Sequence, residues 1–196
     1  MKQYKRRILP VLAAVLLMGC SAPGQEAVSC DGNGIILDKN DKVTQVIVES
    51  FDQSYYNETE LKAQIEEQIG SLNTGEKEEI TLKEFGLGED KMLRVEIDYD
   101  RADLYTAFNH KELFVGTLSK MTAAGMKLPV MKDDQGQTVG EEALSVMGEK
   151  KVAVIEEPLQ VVVPGKIIAV SDNMDITETG KAVLNADMQQ GFVIYE

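Results

Sequence analysis

Apolar and polar positions along the chain keep two different periods. Leu93, Val95, Ile97 and Tyr99 alternate with Arg94, Glu96 and Asp98. This period of two predicts a strand with one buried and one wet face, as in an antiparallel sheet. Upstream, Leu61, Ile65, Ile69 and Leu72 recur at i, i+4, i+8 and i+11 among Glu and Gln. That spacing predicts an amphipathic helix over 58–72, packed on one face. Asn57 followed three residues later by Glu60 opens it as a capping box with Asn in place of Ser, and Tyr56 is placed to staple against Leu61. Gly70, Gly75 and the polar run SLNTGEKEE end it.

The remaining elements follow from the same signals. Residues 34–37 and 43–51 are β-rich and flank Asp38-Lys39-Asn40-Asp41-Lys42, which predicts a hairpin with a five-residue loop. Residues 80–85 precede the 92–99 strand across a Gly-rich turn at 86–90. Asp100 is placed to cap a short helix over 101–108, with Asp103 in its first turn. Phe114, Leu118 and Met121 share a helical face, predicting a further helix over 112–124 that Gly125 closes. Gly116 inside it costs about 1 kcal/mol relative to Ala. Residues 133–136 form a turn, and 140–146 predict one or two helical turns. The tail is β-rich at 151–155, 160–163, 166–170, 174–176, 182–184 and 192–195, with Pro158 and Pro164 interrupting it. Strands, helix, strands, helices and strands in that order predict an α+β fold: an antiparallel β-sheet with two or three helices packed on it and a β-rich C-terminal part. One domain over 30–196 accommodates them, with a subdivision near Gly148 as the alternative.

The first twenty residues, MKQYKRRILPVLAAVLLMGC, have a different character. Lys2, Lys5, Arg6 and Arg7 precede an apolar stretch of about half the length that a membrane span needs, the pattern of a secretory signal. Leu17-Met18-Gly19-Cys20 resembles the lipobox of bacterial lipoproteins. The resemblance implies cleavage between Gly19 and Cys20 and a diacylglyceryl group on the Cys20 thiol. Residues 1–19 are then a lipoprotein signal peptide. Cys20 and the following residues to 29 are an acylated anchor and flexible tether, and the partner of Cys20 is the lipid bilayer. Two or more acyl chains anchor stably where one does not. The implied location is the extracytoplasmic face of the cell membrane, and SAPGQEAVS holds the body within about 30 Å of it. Through YNETEL, GTLSK and VVVPGKIIAVSDN the body is similar to uncharacterised lipoproteins of Gram-positive bacteria. No activity is assigned to these, so the similarity transfers no functional residue.

Charge narrows the classes of partner. The 196 residues carry 20 Lys+Arg and 33 Asp+Glu, a net charge of -13. Without residues 1–19, which hold four bases and no acid, 16 bases face 33 acids, a net of -17. A phosphate backbone is repelled by such a body, which excludes nucleic acid. An anionic bilayer is repelled too, while cations and basic partners are attracted. One His and two Cys leave little for a transition-metal site. No metal ligand or cofactor is assigned. With Cys20 acylated, Cys30 is the remaining thiol and reads as a small, partly buried residue.

Catalytic motifs are absent: there is no Gly-x-Ser-x-Gly elbow, HExxH, P-loop or GxGxxG after a strand. No catalytic residue is assigned. His110, in FNHKELF, is the one imidazole, at a linker or cap position. The acidic groups around Asp31, Asp38–Asp41, Asp133-Asp134 and Asp172–Asp175 resemble pieces of a calcium loop without its full spacing, and Asp and Asn favour turns in their own right. Each adjacent Glu pair, such as Glu156-Glu157, points to two sides rather than converging. Tyr55, Tyr56 and Tyr105, with Phe108, are candidates for an aromatic surface that binds sugar or peptide. The leading reading is a non-catalytic binding or interaction module of the cell envelope, with an unknown envelope protein or ligand as partner. The alternatives are a cell-wall or peptide hydrolase using carboxylates or His110, and a calcium- or small-ligand-binding module.

Overall fold

The computed structural model describes residues 29–185 and 190–196. The expected signal peptide, the Gly19–Cys20 cleavage and lipidation site, and the tether up to residue 28 lie outside the described residues. The chain opens with β1 (Gly34–Leu37) and β2 (Val43–Ser50), an antiparallel hairpin in which Leu37 faces Val43. The loop is closed by Asp38, whose Oδ1 accepts from the backbone N–H of Asn40 at 2.7 Å and of Lys42 at 2.9 Å. Two further strands, β3 (Ile80–Leu87) and β4 (Met92–Tyr99), place β4 between β2 and β3. The apolar face of the period-two reading of β4 holds: Leu93, Val95, Ile97 and Tyr99 belong to the main core, while Glu96 on the expected wet face is buried beside Arg94 and Lys83.

The later strands are β5 (Leu113–Thr117), β6 (Met131–Lys132), β7 (Lys151–Ile155), β8 (Gln160–Val162), β9 (Ile167–Ser171), β10 (Met174–Glu178), β11 (Lys181–Leu184) and β12 (Gly191–Tyr195). They complete two sheets. One has seven strands in the order β10-β11-β8-β1-β2-β4-β3, the other five in the order β5-β7-β12-β9-β6. All pairings are antiparallel except β1 with β8. The fold is α+β. Strands from either side of Gly148 are neighbours in both sheets, as β1 with β8 and β5 with β7.

Four helices among the described residues are α1 (Glu58–Leu72), α2 (Ala102–Asn109), α3 (Leu118–Ala123) and α4 (Glu141–Ser145). The main core joins the inner face of the large sheet (Ile35, Val43, Val95, Ile97) to one face of the small sheet (Ala153, Ile155, Val193, Tyr195) and to α1 and α2 (Ile69, Tyr105, Phe108). Thus one half of the large sheet is covered by the small sheet and the other by two helices. A second apolar cluster lies on the opposite face of the small sheet, where Met121, Met131, Val152, Phe192 and Ile194 pack with residues of α3 and α4. The outer face of the large sheet carries Cys30 over Val46 and Val162. Inside the main core, Tyr99 packs edge-on against Tyr105 and Phe108, with ring centroids 5.5 and 5.8 Å apart. Its phenol donates to Gln45 Oε1 at 2.7 Å, and Asn109 completes this buried polar link, as a desolvated hydroxyl requires.

Two sequence expectations are corrected. The helix over 112–124 is instead strand β5 followed by the short helix α3. Residues 113–117 pair with β7 from Leu113↔Ile155 to Thr117↔Lys151, and this non-local ladder overrides the local helical spacing. Gly116 sits in a strand, where a Cβ would lie 2.9 Å from its neighbour Phe114's ring. The second correction is the start of α2. Asp100 does not cap it; Arg101 occupies the cap position without a side-chain cap bond. The Asp100 carboxylate is taken by Lys42, at 2.6 Å, and by Lys77, tying two loops together.

Candidate functional site

The segment between β2 and α1 builds the most developed site. Phe51 follows the last residue of β2, with its backbone N–H bonded to the Lys91 carbonyl at 2.8 Å. A turn then brings Tyr56, whose N–H donates to the Gln53 carbonyl at 3.1 Å, back over Phe51. The two rings stack at 4.8 Å and 24°, and Tyr55 adds an edge contact to Tyr56 at 4.9 Å and 75°. These are the offset and T-shaped geometries that aromatic quadrupoles favour. Asn57 follows at once and fixes the direction of α1, its Oδ1 accepting the Glu60 N–H at 3.2 Å.

The outcome is a groove of about 500 Å³ between α1 and the inner face of the large sheet. Ile47, Leu93 and Val95 form its floor, Leu61 and Ile65 one wall, and the aromatic trio its mouth. Two acids line it, Glu49 and Glu60, with no Lys or Arg. Glu49 accepts from Asn33 Nδ2 at 2.6 Å, a neutral partner that leaves its charge in place. Among the described residues no base lies within ion-pair distance of Glu49, Asp52, Glu58 or Glu60. The Tyr56 phenol is held above its ordinary value, first by Tyr55, then by desolvation and by the charges of Asp52 and Glu49. Tyr55 remains 75% exposed and Tyr56 43%. Such exposure of adjacent large rings at the lip of an apolar cleft is the kind of surface that marks recognition sites.

The other candidate residues lie elsewhere. Tyr105 and Phe108 are not part of this mouth; both are buried in the main core. The Tyr105 hydroxyl donates to Glu157 Oε1 at 2.5 Å, and burial first, then this carboxylate, raises its pKa far above the usual phenol range. His110 is the C-cap of α2, in left-handed backbone with φ 55°, and its N–H donates to the Thr106 carbonyl at 2.9 Å. Cys30 lies under the outer face, so the large sheet separates it from α2 and His110. Asp133 repeats the turn chemistry of Asp38, accepting from the N–H groups of Gln135 and Gln137. Glu156 and Glu157 diverge, the first toward Glu112 N and Gln190, the second toward Tyr105. Among the described residues no three His, Cys, Asp or Glu side chains come together as a metal site, and no helix is long and apolar enough to cross a membrane.

Tyr55 and Tyr56 are legible in the sequence; their surroundings are not. Phe51 stands five residues before Tyr56, a spacing legible only once the turn is known. A second, larger groove of about 1110 Å³, between α3, residues 126–131 and residues 138–145, carried no sequence signal at all. It is lined mainly by aliphatic side chains, among them Met126, Leu128, Val130 and Leu144.

Fold and site together define a two-sheet α+β body with an aromatic, acid-lined cleft. Comparison with known proteins adds nothing to that description: no protein-family model, no curated protein and no solved structure matches the chain.

Proposed function

We propose that the chain is a lipid-anchored protein of the extracytoplasmic membrane face that works as a non-catalytic binding module, engaging an envelope partner through the groove between α1 and the large sheet. The anchoring half of this reading is supported by the signal-like N-terminus and its Leu17-Met18-Gly19-Cys20 sequence. The binding half is carried by one observation: Tyr55, three-quarters exposed, makes an edge contact with Tyr56, which itself stacks on Phe51, at the mouth of an apolar cleft. Aromatic residues presented at the lip of an apolar cleft act as anchors at interfaces.

Two measurements test it. Mass spectrometry of the protein recovered from membranes is expected to find a diacylglyceryl-modified Cys20 as the first residue. A photo-crosslinking amino acid placed at position 55 is expected to trap a partner in intact cells that the same group at Val146, an exposed position at the C-cap of α4, does not trap. An intact Met1 overturns the anchor, and equal trapping at both positions overturns the binding site.

A further inference from the structure

We infer that the partner segment this groove accepts is a basic peptide, with lysine or arginine side chains alternating with aliphatic ones. The inference deepens the proposed binding role and rests on it. Charge complementarity selects the occupant. Glu49 and Glu60 line the cleft with no Lys or Arg among its lining, Asp52 and Glu58 stand beside it in sequence, and among the described residues no base comes within ion-pair distance of these four acids. An anionic ligand is therefore repelled. The N-terminus of α1 does not reverse this, because Asn57 already takes one of its N–H groups and Glu58 and Glu60 occupy its first turn.

The floor selects what must accompany the cation. Ile47, Leu61, Ile65, Leu93 and Val95 offer no hydrogen bond through their side chains. A sugar pressed onto them leaves hydroxyls unpaired at a desolvation cost, while an aliphatic side chain gains by the same burial. A lysine or arginine has both properties needed at the mouth. Its methylene stem lies on the rings of Tyr55 and Tyr56, and its charged head reaches the glutamates, with cation–π attraction adding to the contact.

Fluorescence anisotropy with a labelled peptide of repeated Gly-Lys-Leu units, at physiological ionic strength, tests this. The peptide is expected to bind saturably, and the versions with Gln or Glu in place of Lys to bind more than about tenfold more weakly. Tyr55→Ala, at an exposed position that leaves the fold intact, is expected to weaken binding about tenfold. The double variant Glu49→Gln, Glu60→Gln is expected to do the same. Glu76→Gln with Glu78→Gln, which removes equal charge beyond the far end of α1, is expected to leave binding unchanged. If that control pair weakens binding as much as the groove pair, the attraction is diffuse and the inference is overturned. Equal binding of the Gln peptide overturns it as well. Site-specific trapping from position 55 persisting alongside either result would leave the binding role standing and refute only the basic partner.

Discussion

Asp31 and Lys181 meet at 3.1 Å although 150 positions separate them. The pair is asymmetric, with the Lys181 side chain 8% exposed and the Asp31 side chain 82%. The lysine stem lies in the outer face of the large sheet beside Val162, its partner in the β11–β8 register, while its charge escapes to the surface. Removing the acid and removing the base should therefore have unequal effects. Asp31→Asn is expected to cost less than about 0.5 kcal/mol, as for an exposed pair, and Lys181→Ala about 2 kcal/mol through lost packing. Urea unfolding of the two variants measures this, and equal losses would contradict it.

Cys30 should be chemically quiet. Burial, partly offset by the nearby charges of Lys181 and Arg94, pushes its thiol up to about 11. The thiolate is the reactive form. At pH 8 the folded protein is expected to label at Cys30 about 100-fold more slowly with iodoacetamide than the urea-unfolded chain. The modified peptide, followed by mass spectrometry, gives the rate. Comparable rates would show that Cys30 is open to solvent.

Glu96 sets a pH dependence. Burial alone would raise its pKa, but hydrogen bonds from Arg94, at 2.5 Å, and Lys83, at 3.1 Å, outweigh it and hold the carboxyl below its ordinary value. The folded state thus favours the carboxylate. Its contribution is present above the unfolded value of about 4.3 and is lost as pH falls through the lower folded value. Glu96→Gln is expected to destabilise the protein by about 2 kcal/mol at pH 7. The gap between variant and parent should close below about pH 4. Denaturant titrations across that range decide, and a constant gap would assign the effect to packing.

Gly34 is required by space rather than by backbone angle. A Cβ there would meet Cys30 Sγ at 2.6 Å and the Gln160 carbonyl at 2.7 Å. The carbonyl belongs to β8, whose parallel pairing with β1 joins the first hairpin to the C-terminal strands. Gly34→Ala is expected to cost about 2 kcal/mol or more, whereas Gly70→Ala, with open space around it in α1, should stabilise by about 0.5 kcal/mol. Thermal melts of the pair test the contrast.

Local pattern was most informative where an element's partners lie on one side. Helix α1 runs over the residues its spacing indicates, because a cap, a stripe of four aliphatics and a polar remainder all agree. Strand β4 is legible for the same reason. Residues 113–117 are not: Phe114, Leu118 and Met121 are spaced as on a helix, but β7 supplies a ladder that no local signal announces. Thr117 was the overlooked mark, since its hydroxyl accepts the Lys120 N–H and starts α3 just there. In the site, the exposed tyrosines were visible as residues. Their floor comes from Ile47, Leu93 and Val95 on strands brought together by tertiary pairing, and no window of sequence contains it.

The Arg94 guanidinium reaches the Cys30 carbonyl at 3.4 Å, and Asn33 holds Glu49 and the Val48 N–H. The segment leading toward the N-terminus is thereby clamped at the end of β2 where the aromatic cleft opens on the reverse side. In the proposed anchored form, the ten peptide links from Cys20 to Cys30 allow an excursion of at most about 35 Å. If the anchor and the basic partner both hold, such a leash would keep the body close to the lipid headgroups and favour basic segments next to the bilayer over those on distant wall components.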